Sequence, residues 1–578
     1  MNYIGNFSKT HTKVYPVSLK NVKVKGYLGD IINKNVESIY KGFESNIGEL
    51  FKFYKNGTPL SDFHKRLAAE SDFFKLMEGA CYAYIYTQDE NLKNLIYEHT
   101  EYMLSKQEED GFILHNKERF DKNVNHDLYI LGHYLEFVVA HYEAFGEDFI
   151  IKSGKKWIDT IIEAEKAGND YFEDLCDREH PEIEVALVRF ARVTKDNKYL
   201  DFAIKIIKKY IIEAELKDCK TGGGHRHVVR TNYLFMGILE AYLETGDESL
   251  FKYIEGLVNE IIDTRIYICG GGGYREAYPA TAYELPQEGN IAETCGSVSL
   301  SMLLWRLFQI NPNSKYLNTL ERIFHNHLIG ALNKEQDGIY YYNPIRSTAG
   351  SRSDFDNFKR TKLPKVHGTS CCFPNIWRFF GQLPEYIFST GEDCIYINYL
   401  TEAEADVEIA GETIHIEVKT NFPKDGRIAV ITDKPIKVLI KKPYWAENGA
   451  ENTYNCGYEK GYYVSDKTTY RDLEFKFQIR LIKSNDNVLD NRGQVAVTYG
   501  PLVYMLEKPI DEIDFDDLVL DISRPMIYDK GKIKAWFMNK KDEKALYYEY
   551  KPICLDLIPF NQIGNTDDIC AWSVFFKI

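Results

Sequence analysis

No stretch of the chain approaches the length of a membrane-spanning helix, which predicts no transmembrane segment. Residues 1–28 contain neither a continuous apolar stretch nor a small-residue cleavage site, so we expect no secretory signal. Cysteine is scarce and odd in number, with 11 among 578 residues, and this excludes a dense disulfide framework. We therefore expect a cytoplasmic protein whose thiols are reduced.

Positive charge is also scarce. The 71 Lys and Arg residues are outnumbered by 86 Asp and Glu residues, which gives a formal net charge of −15. No basic stripe offsets this charge, so we expect neither nucleic acid nor an anionic membrane as a partner. A neutral or cationic partner stays open, and the sequence is compatible with a homodimer without fixing the oligomeric state.

Three of the cysteines lie in two unusual clusters, Glu293-Thr294-Cys295 and the adjacent pair Cys371-Cys372. Together they supply three sulfurs and one carboxylate, which is enough for a tetrahedral site, and thiolates favour zinc over magnesium or calcium. The spacing matches no regular paired-ligand zinc pattern, and free cysteines often act as small buried hydrophobic residues. Both interpretations stay open from spacing alone.

The local sequence sets conditions on such a site. A helix is predicted to start near Ser297, and a thiol at a helix N-terminus has a lowered pKa, which suits Cys295 as a ligand. Pro374 and Asn375 predict a turn before a second helix around Trp377. Adjacent side chains of an extended strand point to opposite faces, so both sulfurs of the pair reach one ion only if the backbone bends there.

Most of the chain before residue 385 has the periodicity of amphipathic helices. Turn signals recur between these helices roughly 50 to 65 residues apart, the length of a helical hairpin with an elaborated loop. They lie at 87–92, 145–149, 194–200, 245–250 and 311–317. Five hairpins suggest a closed ring if a sixth exists, and segments 36–40 and 377–380 are the candidates for it. The long loops at 222–227 and 270–274 are rich in Gly, His and aromatic residues, which is typical of functional loops rather than of a uniform solenoid.

After about residue 385 the period changes to 2, as at 413–418 and 473–477, which predicts an antiparallel β-sandwich. We interpret Gly500-Pro501 as the end of this unit and the remainder as a smaller β-rich unit. The sequence thus predicts a helical domain over 1–388, a β-sandwich over 389–506 and a second β-rich domain over 507–578.

A glutamate and several histidines complete the candidate residues. Glu276 lies in the loop before Glu293 and suits a general acid, although most glutamates are solvated surface groups. Histidines in or beside the loops, together with Tyr341 and Asn343, suit a pocket that hydrogen-bonds hydroxyl groups. These histidines are His126, His133, His180 and His227.

The chain resembles glycoside hydrolase family 127, the β-L-arabinofuranosidases. The resemblance rests mainly on Glu293-Thr294-Cys295 together with Cys371-Cys372-Phe373-Pro374-Asn375. Three further matches lie at 27–30, at 500–504 and at the end of the chain, where Ile558-Pro559-Phe560 is followed by Ala571-Trp572. The resemblance implies an (α/α)6 barrel followed by β-sandwiches.

The resemblance also implies a zinc ion and a set of roles. Zinc is held by Glu293, Cys295, Cys371 and Cys372, and Cys371 also attacks the anomeric carbon in a retaining mechanism. Glu276 acts as acid/base, and the sugar is contacted by His133, His180 and His227. The chain departs from the family at His367-Gly368-Thr369-Ser370, where aromatic and small residues are expected, and this leaves the substrate specificity open.

The expected substrate is a small oligosaccharide or glycoside that loses L-arabinofuranose or a related sugar from its non-reducing end. One alternative is another (α/α)6 enzyme, such as an epimerase or an unsaturated uronyl hydrolase, which needs no cysteines. Another is a carbohydrate-binding protein with a structural zinc. A structural site is closed and lacks a nearby acid, so the position of Glu276 relative to Cys371 distinguishes these possibilities.

Overall fold

The structure, a computed structural model, describes most of the chain. The described residues are 10–55, 68–114, 119–120, 126–173, 175, 180–213, 227–289, 291–348, 371–446, 449–451, 456–509, 512, 514–540, 546–547, 549–565 and 570–578. Of the sequence motifs named above, residues 222–226 of the loop at 222–227 and the segment 367–370 lie outside this range.

Thirteen α-helices lie in the described ranges. They are α1 (Gly26–Phe43), α2 (Leu50–Lys55), α3 (Ala69–Thr87), α4 (Glu90–Leu104), α5 (Asp127–Phe145), α6 (Asp148–Lys166), α7 (Ile183–Thr194), α8 (Asn197–Glu213), α9 (Val228–Thr245), α10 (Glu248–Thr264), α11 (Thr294–Ile310), α12 (Ser314–Ile323) and α13 (Cys372–Gln382). Within the described ranges, none of these helices combines the length and the apolar character that crossing a membrane requires.

Six of these helices form a closed inner ring. Helices α3, α5, α7, α9, α11 and α13 each pack against the next, and α13 packs against α3 to close the ring. Every residue of α11 and every residue at 69–85 in α3 is buried, as expected for helices surrounded on all sides. The predicted (α/α)6 barrel is therefore confirmed.

Short turns join five of the inner helices, α3, α5, α7, α9 and α11, to the outer helix that follows each in sequence. The predicted turn signals lie at these junctions, where Asp89, Asp247 and Asn313 accept hydrogen bonds from backbone N–H groups of α4, α10 and α12. The long loops run in the opposite sense, from an outer helix to the N-terminus of the next inner helix. The N-termini of the inner helices, where these connections end, therefore lie at one end of the barrel.

The sixth helix pair contains both segments proposed for it. Helix α1 packs against α13, with the Trp377 indole N–H donating to Ser38 Oγ at 2.8 Å and the Asn35 amide donating to the Trp377 carbonyl at 3.2 Å. The two segments are thus partners rather than alternatives. Because they lie at opposite ends of the helical region, local periodicity does not pair them.

A first sheet follows the barrel and also includes two strands that precede it. Its strands are β1 (Tyr15–Pro16), β2 (Val22–Val24), β4 (Phe388–Thr390), β5 (Cys394–Ile397), β6 (Ala403–Ile409), β7 (Glu412–Thr420), β8 (Arg427–Lys441), β9 (Ala450–Glu451), β10 (Cys456–Glu459), β11 (Tyr462–Ser465) and β12 (Thr468–Phe475). The main order is β1-β4-β5-β8-β7-β6-β2, and β8 also pairs with β11 and β12. The pairs are antiparallel except β5 with β8.

A second sheet contains a strand from a barrel loop and all strands that the described residues form after residue 478. They are β3 (Arg346–Ser347), β13 (Ile479–Lys483), β14 (Gln494–Tyr499), β15 (Leu502–Pro509), β16 (Leu518–Leu520), β17 (Ile527–Asp529), β18 (Lys532–Lys540), β19 (Tyr550–Pro559), β20 (Cys570–Ser573) and β21 (Phe575–Lys577).

The division between the sheets falls between Phe475 and Ile479, whereas the sequence placed a boundary after residue 506. Gly500-Pro501 is the turn of a hairpin inside the second sheet, where Tyr499 pairs with Leu502. Gly500 has a φ of +54°, which suits glycine in such a turn. A turn signal alone does not distinguish a hairpin from the end of a domain.

Candidate metal centre and active site

Four side chains converge at the loop-bearing end of the barrel. One ligand atom each from Glu293, Cys295, Cys371 and Cys372 lies within 4.8 Å of all the others. Cys295 Sγ is 3.2 Å from Cys371 Sγ and 3.4 Å from Cys372 Sγ. Cys371 is partly exposed, whereas the other three residues are buried. The predicted cluster is therefore present and forms a candidate metal-binding group.

The N-termini of two inner helices position this cluster. Glu293 precedes α11 and Cys295 lies in its first turn, while Cys371 precedes α13 and Cys372 is its first residue. Both helices begin earlier than expected: α11 begins at Thr294 instead of near Ser297, and Pro374 and Asn375, interpreted as a turn, lie in the first turn of α13. Cys371 has helical φ and ψ of −47° and −13°, so the backbone bends as two sulfurs facing one ion require.

The electrostatics of the cluster differ from the sequence prediction. Burial raises the pKa of Cys295 and Cys372 well above its usual range, and the neighbouring thiols raise the pKa of Cys295 further. Burial also raises the pKa of Glu293. Desolvation thus outweighs the helix N-terminus, which was expected to lower the pKa of Cys295. A cation bound among these three groups would favour their ionised forms.

Glu276 lies beside the cluster and is held by two tyrosines. The hydroxyls of Tyr341 and Tyr342 both donate to Glu276 Oε1, at 2.9 and 2.8 Å. The other oxygen, Oε2, is 3.7 Å from His227 Nε2, and the same nitrogen is 3.7 Å from Glu293 Oε2. His227 therefore lies between the candidate acid/base and the candidate metal centre.

A cavity of ≈ 180 Å³ opens onto the cluster. Its wall includes Cys371, Tyr341 and three histidines, His126, His180 and His227. Burial lowers the pKa of all three histidines, that of His126 to about 4, so their imidazoles are neutral near pH 7. A neutral imidazole both donates and accepts a hydrogen bond, which suits the hydroxyl groups of an uncharged ligand.

His133 does not belong to the cavity wall, although the sequence placed it with the sugar-contacting residues. It is fully buried behind Tyr129, with ring centroids 4.5 Å apart, and its Nδ1 is 3.2 Å from Glu182 Oε1. His126 directly precedes α5 at the cavity end, whereas His133 lies two turns further into the barrel. The structure thus brings His126 to the position expected for His133.

Several residues of the site carried no signal in the sequence. Tyr129 and Asp72 lie in the cavity wall on inner helices, and the fully buried Lys75 ammonium donates to the Tyr129 hydroxyl at 2.7 Å. Tyr342, which lies between α12 and α13, was not predicted either. Polar residues scattered on helices that are buried on every side form no local pattern, so only the closed ring identifies them.

Asn375, the last residue of the second cysteine motif, also lies in the cavity wall. Its Oδ1 accepts hydrogen bonds from the Tyr233 hydroxyl at 3.2 Å and from Arg378 Nε at 3.0 Å. Arg378 is itself buried and paired with Glu78 and Glu182. The first two turns of α13 are therefore anchored to α3, to α9 and to Glu182, which directly precedes α7.

Two family models match the chain. The model for the β-L-arabinofuranosidase GH127 catalytic domain covers residues 8–385, and the model for the glycoside hydrolase family 127 C-terminal domain covers residues 479–576. The second match begins at the first residue of β13, where the second sheet separates from the first.

Similar proteins agree with these matches. A non-reducing end β-L-arabinofuranosidase from Bifidobacterium longum subsp. longum is 25% identical over 513 residues, which cover 77% of this chain and 76% of that protein. A solved GH127 β-arabinofuranosidase has a TM-score of 0.83 at 23% identity, covering 100% of this chain and 99% of its own. A GH127 β-L-arabinofuranosidase from Geobacillus stearothermophilus T6 has a TM-score of 0.81 at 21% identity, covering 96% and 100%. At these identities the two solved structures establish the fold.

The catalytic-domain match spans well over half of the chain and includes all four residues of the candidate metal centre. The barrel, the two sheets and the cysteine cluster at the cavity are consistent with it. The chain belongs to glycoside hydrolase family 127 and is a glycosidase.

Proposed function

We propose that this glycosidase is a zinc-dependent retaining enzyme that releases L-arabinofuranose, or a closely related sugar, from the non-reducing end of small saccharides. The observation that carries the proposal is the exposure of Cys371 alone among three clustered cysteines. Cys295 also belongs to the cavity wall but is only 1% exposed, and Cys372 is fully buried, so Cys371 is the cysteine in position to reach a ligand.

The size of the cavity supports removal of a single terminal sugar. Pockets that enclose larger ligands usually measure about 300–1,000 Å³, and this cavity of ≈ 180 Å³ is smaller. The uncharged histidines of its wall match a neutral sugar. The name of the Bifidobacterium longum relative supports L-arabinofuranose as that sugar.

The donor set supports zinc as the metal. Sulfurs bound at about 2.3 Å to one tetrahedral zinc lie about 3.8 Å apart. The two Sγ–Sγ distances here are 3.2 and 3.4 Å, so small side-chain shifts would suffice. Glu293 Oε2 is buried without a hydrogen-bond partner in the described ranges, as expected for a ligand oxygen. When bound, zinc would keep its thiol ligands deprotonated.

The reaction would then proceed in two displacements by the protein's own groups. The Cys371 thiolate attacks the anomeric carbon, and a carbon–sulfur bond forms as the glycosidic carbon–oxygen bond breaks. Glu276 gives its proton to the departing oxygen. In the second step Glu276 takes a proton from water, whose oxygen replaces sulfur at the anomeric carbon. Two inversions retain the configuration.

The alternatives account for fewer of these features. A purely structural metal site would be closed, whereas here Cys371 faces the cavity. Glu276 also lies near the cluster, separated from Glu293 by the imidazole of His227. An epimerase or an unsaturated uronyl hydrolase needs no cluster of three cysteines. Neither alternative fits membership of family 127.

A panel of nitrophenyl glycosides tests the substrate. We expect the highest kcat/KM on the β-L-arabinofuranoside, with far lower values on the α-anomer, the β-L-arabinopyranoside and D-configured furanosides. Proton NMR of the early product should show the β-anomer, because the configuration is retained. A first-formed α-anomer would contradict the retaining mechanism, and a clear preference for another sugar would contradict the substrate.

The Glu276→Gln variant tests the acid/base. Glutamine cannot donate a proton, so hydrolysis of an unactivated disaccharide should slow by roughly 10²–10⁴-fold, the usual contribution of acid–base catalysis. A dinitrophenyl glycoside needs no protonation, so formation of the glycosyl-enzyme from it should slow much less. Burst kinetics separate that first step from the second.

The matched control is Glu284→Gln, which removes the same charge from an exposed position in the same loop. It should leave both substrates unaffected. An equal loss on both substrates in Glu276→Gln would assign the acid/base role to another residue.

A further inference from the structure

The backbone of Glu276 lies in an unusual conformation that fixes its position but not its side chain. Arg275 and Glu276 have φ values of +51° and +63°, and the Glu276 carbonyl accepts a hydrogen bond from the Val228 N–H at 2.8 Å. Two consecutive non-glycine residues in the left-handed region are rare and indicate a locally constrained bend. The side chain is 28% exposed, so its direction depends on its own contacts.

Those contacts distinguish the two carboxylate oxygens. Oε1 accepts two hydroxyl hydrogen bonds, from Tyr341 and Tyr342, whereas Oε2 faces His227. The two tyrosine rings are nearly perpendicular, at 83°, with centroids 4.7 Å apart, so they approach the same oxygen from different directions. An oxygen that already accepts two hydrogen bonds is a poor place for a proton.

We propose that Tyr342 is a positioning residue for the catalytic carboxylate: with Tyr341 it holds Glu276 Oε1 as an acceptor and thereby assigns the transferred proton to Oε2. This inference rests on the proposed function, in which Glu276 is the acid/base. Tyr342 would act on the reaction only through Glu276, without touching the sugar.

Tyr341 and Tyr342 differ in burial, which indicates different roles for the two residues. Tyr342 is only 3% exposed and is absent from the cavity wall, whereas Tyr341 is partly exposed and belongs to that wall. Tyr341 is therefore available to the sugar as well as to Glu276. Tyr342 has its hydroxyl directed to Glu276.

The same segment also holds the candidate metal centre. Tyr342 lies opposite Glu293 in an antiparallel bridge, and the Thr294 N–H donates to the Tyr341 carbonyl at 2.9 Å. One short strap, residues 339–347, thus carries the hydroxyls that hold Glu276 and the backbone that holds Glu293. The separation of the acid/base from the metal centre is set by this strap.

The second sheet anchors the far end of the strap. The Trp572 indole N–H donates to the Pro344 carbonyl at 2.9 Å, and the Val574 N–H donates to the Ile345 carbonyl at 3.0 Å. Strand β3, the last part of the strap, pairs with β20. The C-terminal sheet is therefore connected to Glu276 through a continuous hydrogen-bonded segment.

The Tyr342→Phe variant tests the inference. It removes one hydroxyl that bonds a charged group, so kcat/KM on an unactivated disaccharide should fall by about tenfold. Glycosyl-enzyme formation from a dinitrophenyl glycoside should change by less than about twofold, since it needs no proton. KM and zinc content should stay the same. Tyr341→Phe, measured in parallel, should also raise KM because Tyr341 lines the cavity.

Tyr267→Phe is the matched control. Tyr267 is buried in the core between the barrel loops and the second sheet, and its hydroxyl has no hydrogen-bond partner in the described ranges. Its substitution should leave the ratio between the activities on the unactivated disaccharide and on the dinitrophenyl glycoside unchanged. A loss of activity confined to the substrate with the unactivated leaving group indicates impaired proton transfer, whereas general damage to the site would lower both activities.

Three results for Tyr342→Phe would overturn the inference: no loss, an equal loss on both substrates, or a loss that follows zinc content. Glu276→Gln separates this failure from failure of the proposed function. If Glu276→Gln shows the leaving-group dependence and Tyr342→Phe does not, only the positioning role fails. If Glu276→Gln lacks it, the acid/base assignment itself fails.

Discussion

The Cys371→Ser variant is expected to retain bound zinc and to lose activity by roughly 10³-fold or more, the scale of removing a nucleophile. Serine reproduces the shape of cysteine, but its hydroxyl ionises far less readily than a thiol and cannot replace the thiolate. Cys295, Cys372 and Glu293 remain to hold the metal. Elemental analysis and kcat on the preferred substrate measure the two effects on one preparation.

Cys372→Ser should fail differently, although the two residues are adjacent. Cys372 is the first residue of α13 and is fully buried, so its sulfur is directed into the cluster and away from the cavity. We expect weakened zinc binding as its primary defect, with partial recovery of activity in excess zinc. The same addition should not restore Cys371→Ser.

A sugar-shaped electrophile distinguishes the two sulfurs directly. Such a reagent should label Cys371, and mass spectrometry of the peptide locates the adduct. Cys554 is an exposed free cysteine far along the chain and serves as the internal control, because indiscriminate alkylation would modify it as well. A label on Cys372 or on a carboxylate, or normal turnover by Cys371→Ser, would refute the nucleophile assignment.

The helical part of the fold was predictable because its signals are local. Five of the six inner and outer helix pairs are continuous in sequence, and some of their turns carry a capping residue such as Asp89 or Asp247. The sixth pair is not continuous, since α1 and α13 are separated by the other five pairs. Periodicity identified both segments, but their pairing depends on closure of the ring.

The β-rich part was less predictable, for a related reason. Alternating burial correctly indicates strands, but the assignment of a strand to a sheet depends on partners far away in sequence. Strands β13, β14 and β15 were grouped with the strands before them, yet β14 pairs with β21, β15 pairs with β19 and β20, and β13 joins this sheet by pairing with β14. Likewise, β3 leaves a barrel loop to join the second sheet.

In the site, rare residue types were predictable and common ones were not. Adjacent cysteines and the Glu-Thr-Cys motif are unusual enough to indicate a shared site, and their side chains do converge. His126 and His133 are the same residue type and lie seven residues apart, so the sequence does not distinguish them. Only the start of α5 shows which of the two reaches the cavity. Tyr342 is one of 42 tyrosines, and nothing in the local sequence distinguishes it from the others. Its contact with Glu276 is therefore evident only from the folded structure.

Removal of zinc should abolish activity and lower the stability of the site, which is the second large effect we expect. The purified protein should contain about one zinc per chain, since the four residues form one group. A ligand present at about 1,000 times its Kd stabilises the protein that binds it by about 4 kcal/mol. Stripping should therefore lower the thermal midpoint of the barrel by several degrees.

The physical reason for this loss is the burial of the ligands. Burial raises the pKa of Cys295, Cys372 and Glu293, so without a cation these groups take up protons and the attraction that holds the two helix N-termini together is lost. Because protons compete with the metal, zinc should dissociate more readily as the pH falls. Hydrogen exchange should rise at the starts of α11 and α13, while the second sheet stays protected.

Chelation followed by readdition of metal provides the measurement. Zinc should restore both activity and the thermal midpoint, whereas magnesium and calcium should restore neither, because they prefer oxygen ligands to thiolates. Cys372→Ser should bring the midpoint of the untreated protein close to that of the stripped protein. Full activity in chelator, with no zinc detected by elemental analysis, would refute the metal centre and, with it, the means of ionising Cys371.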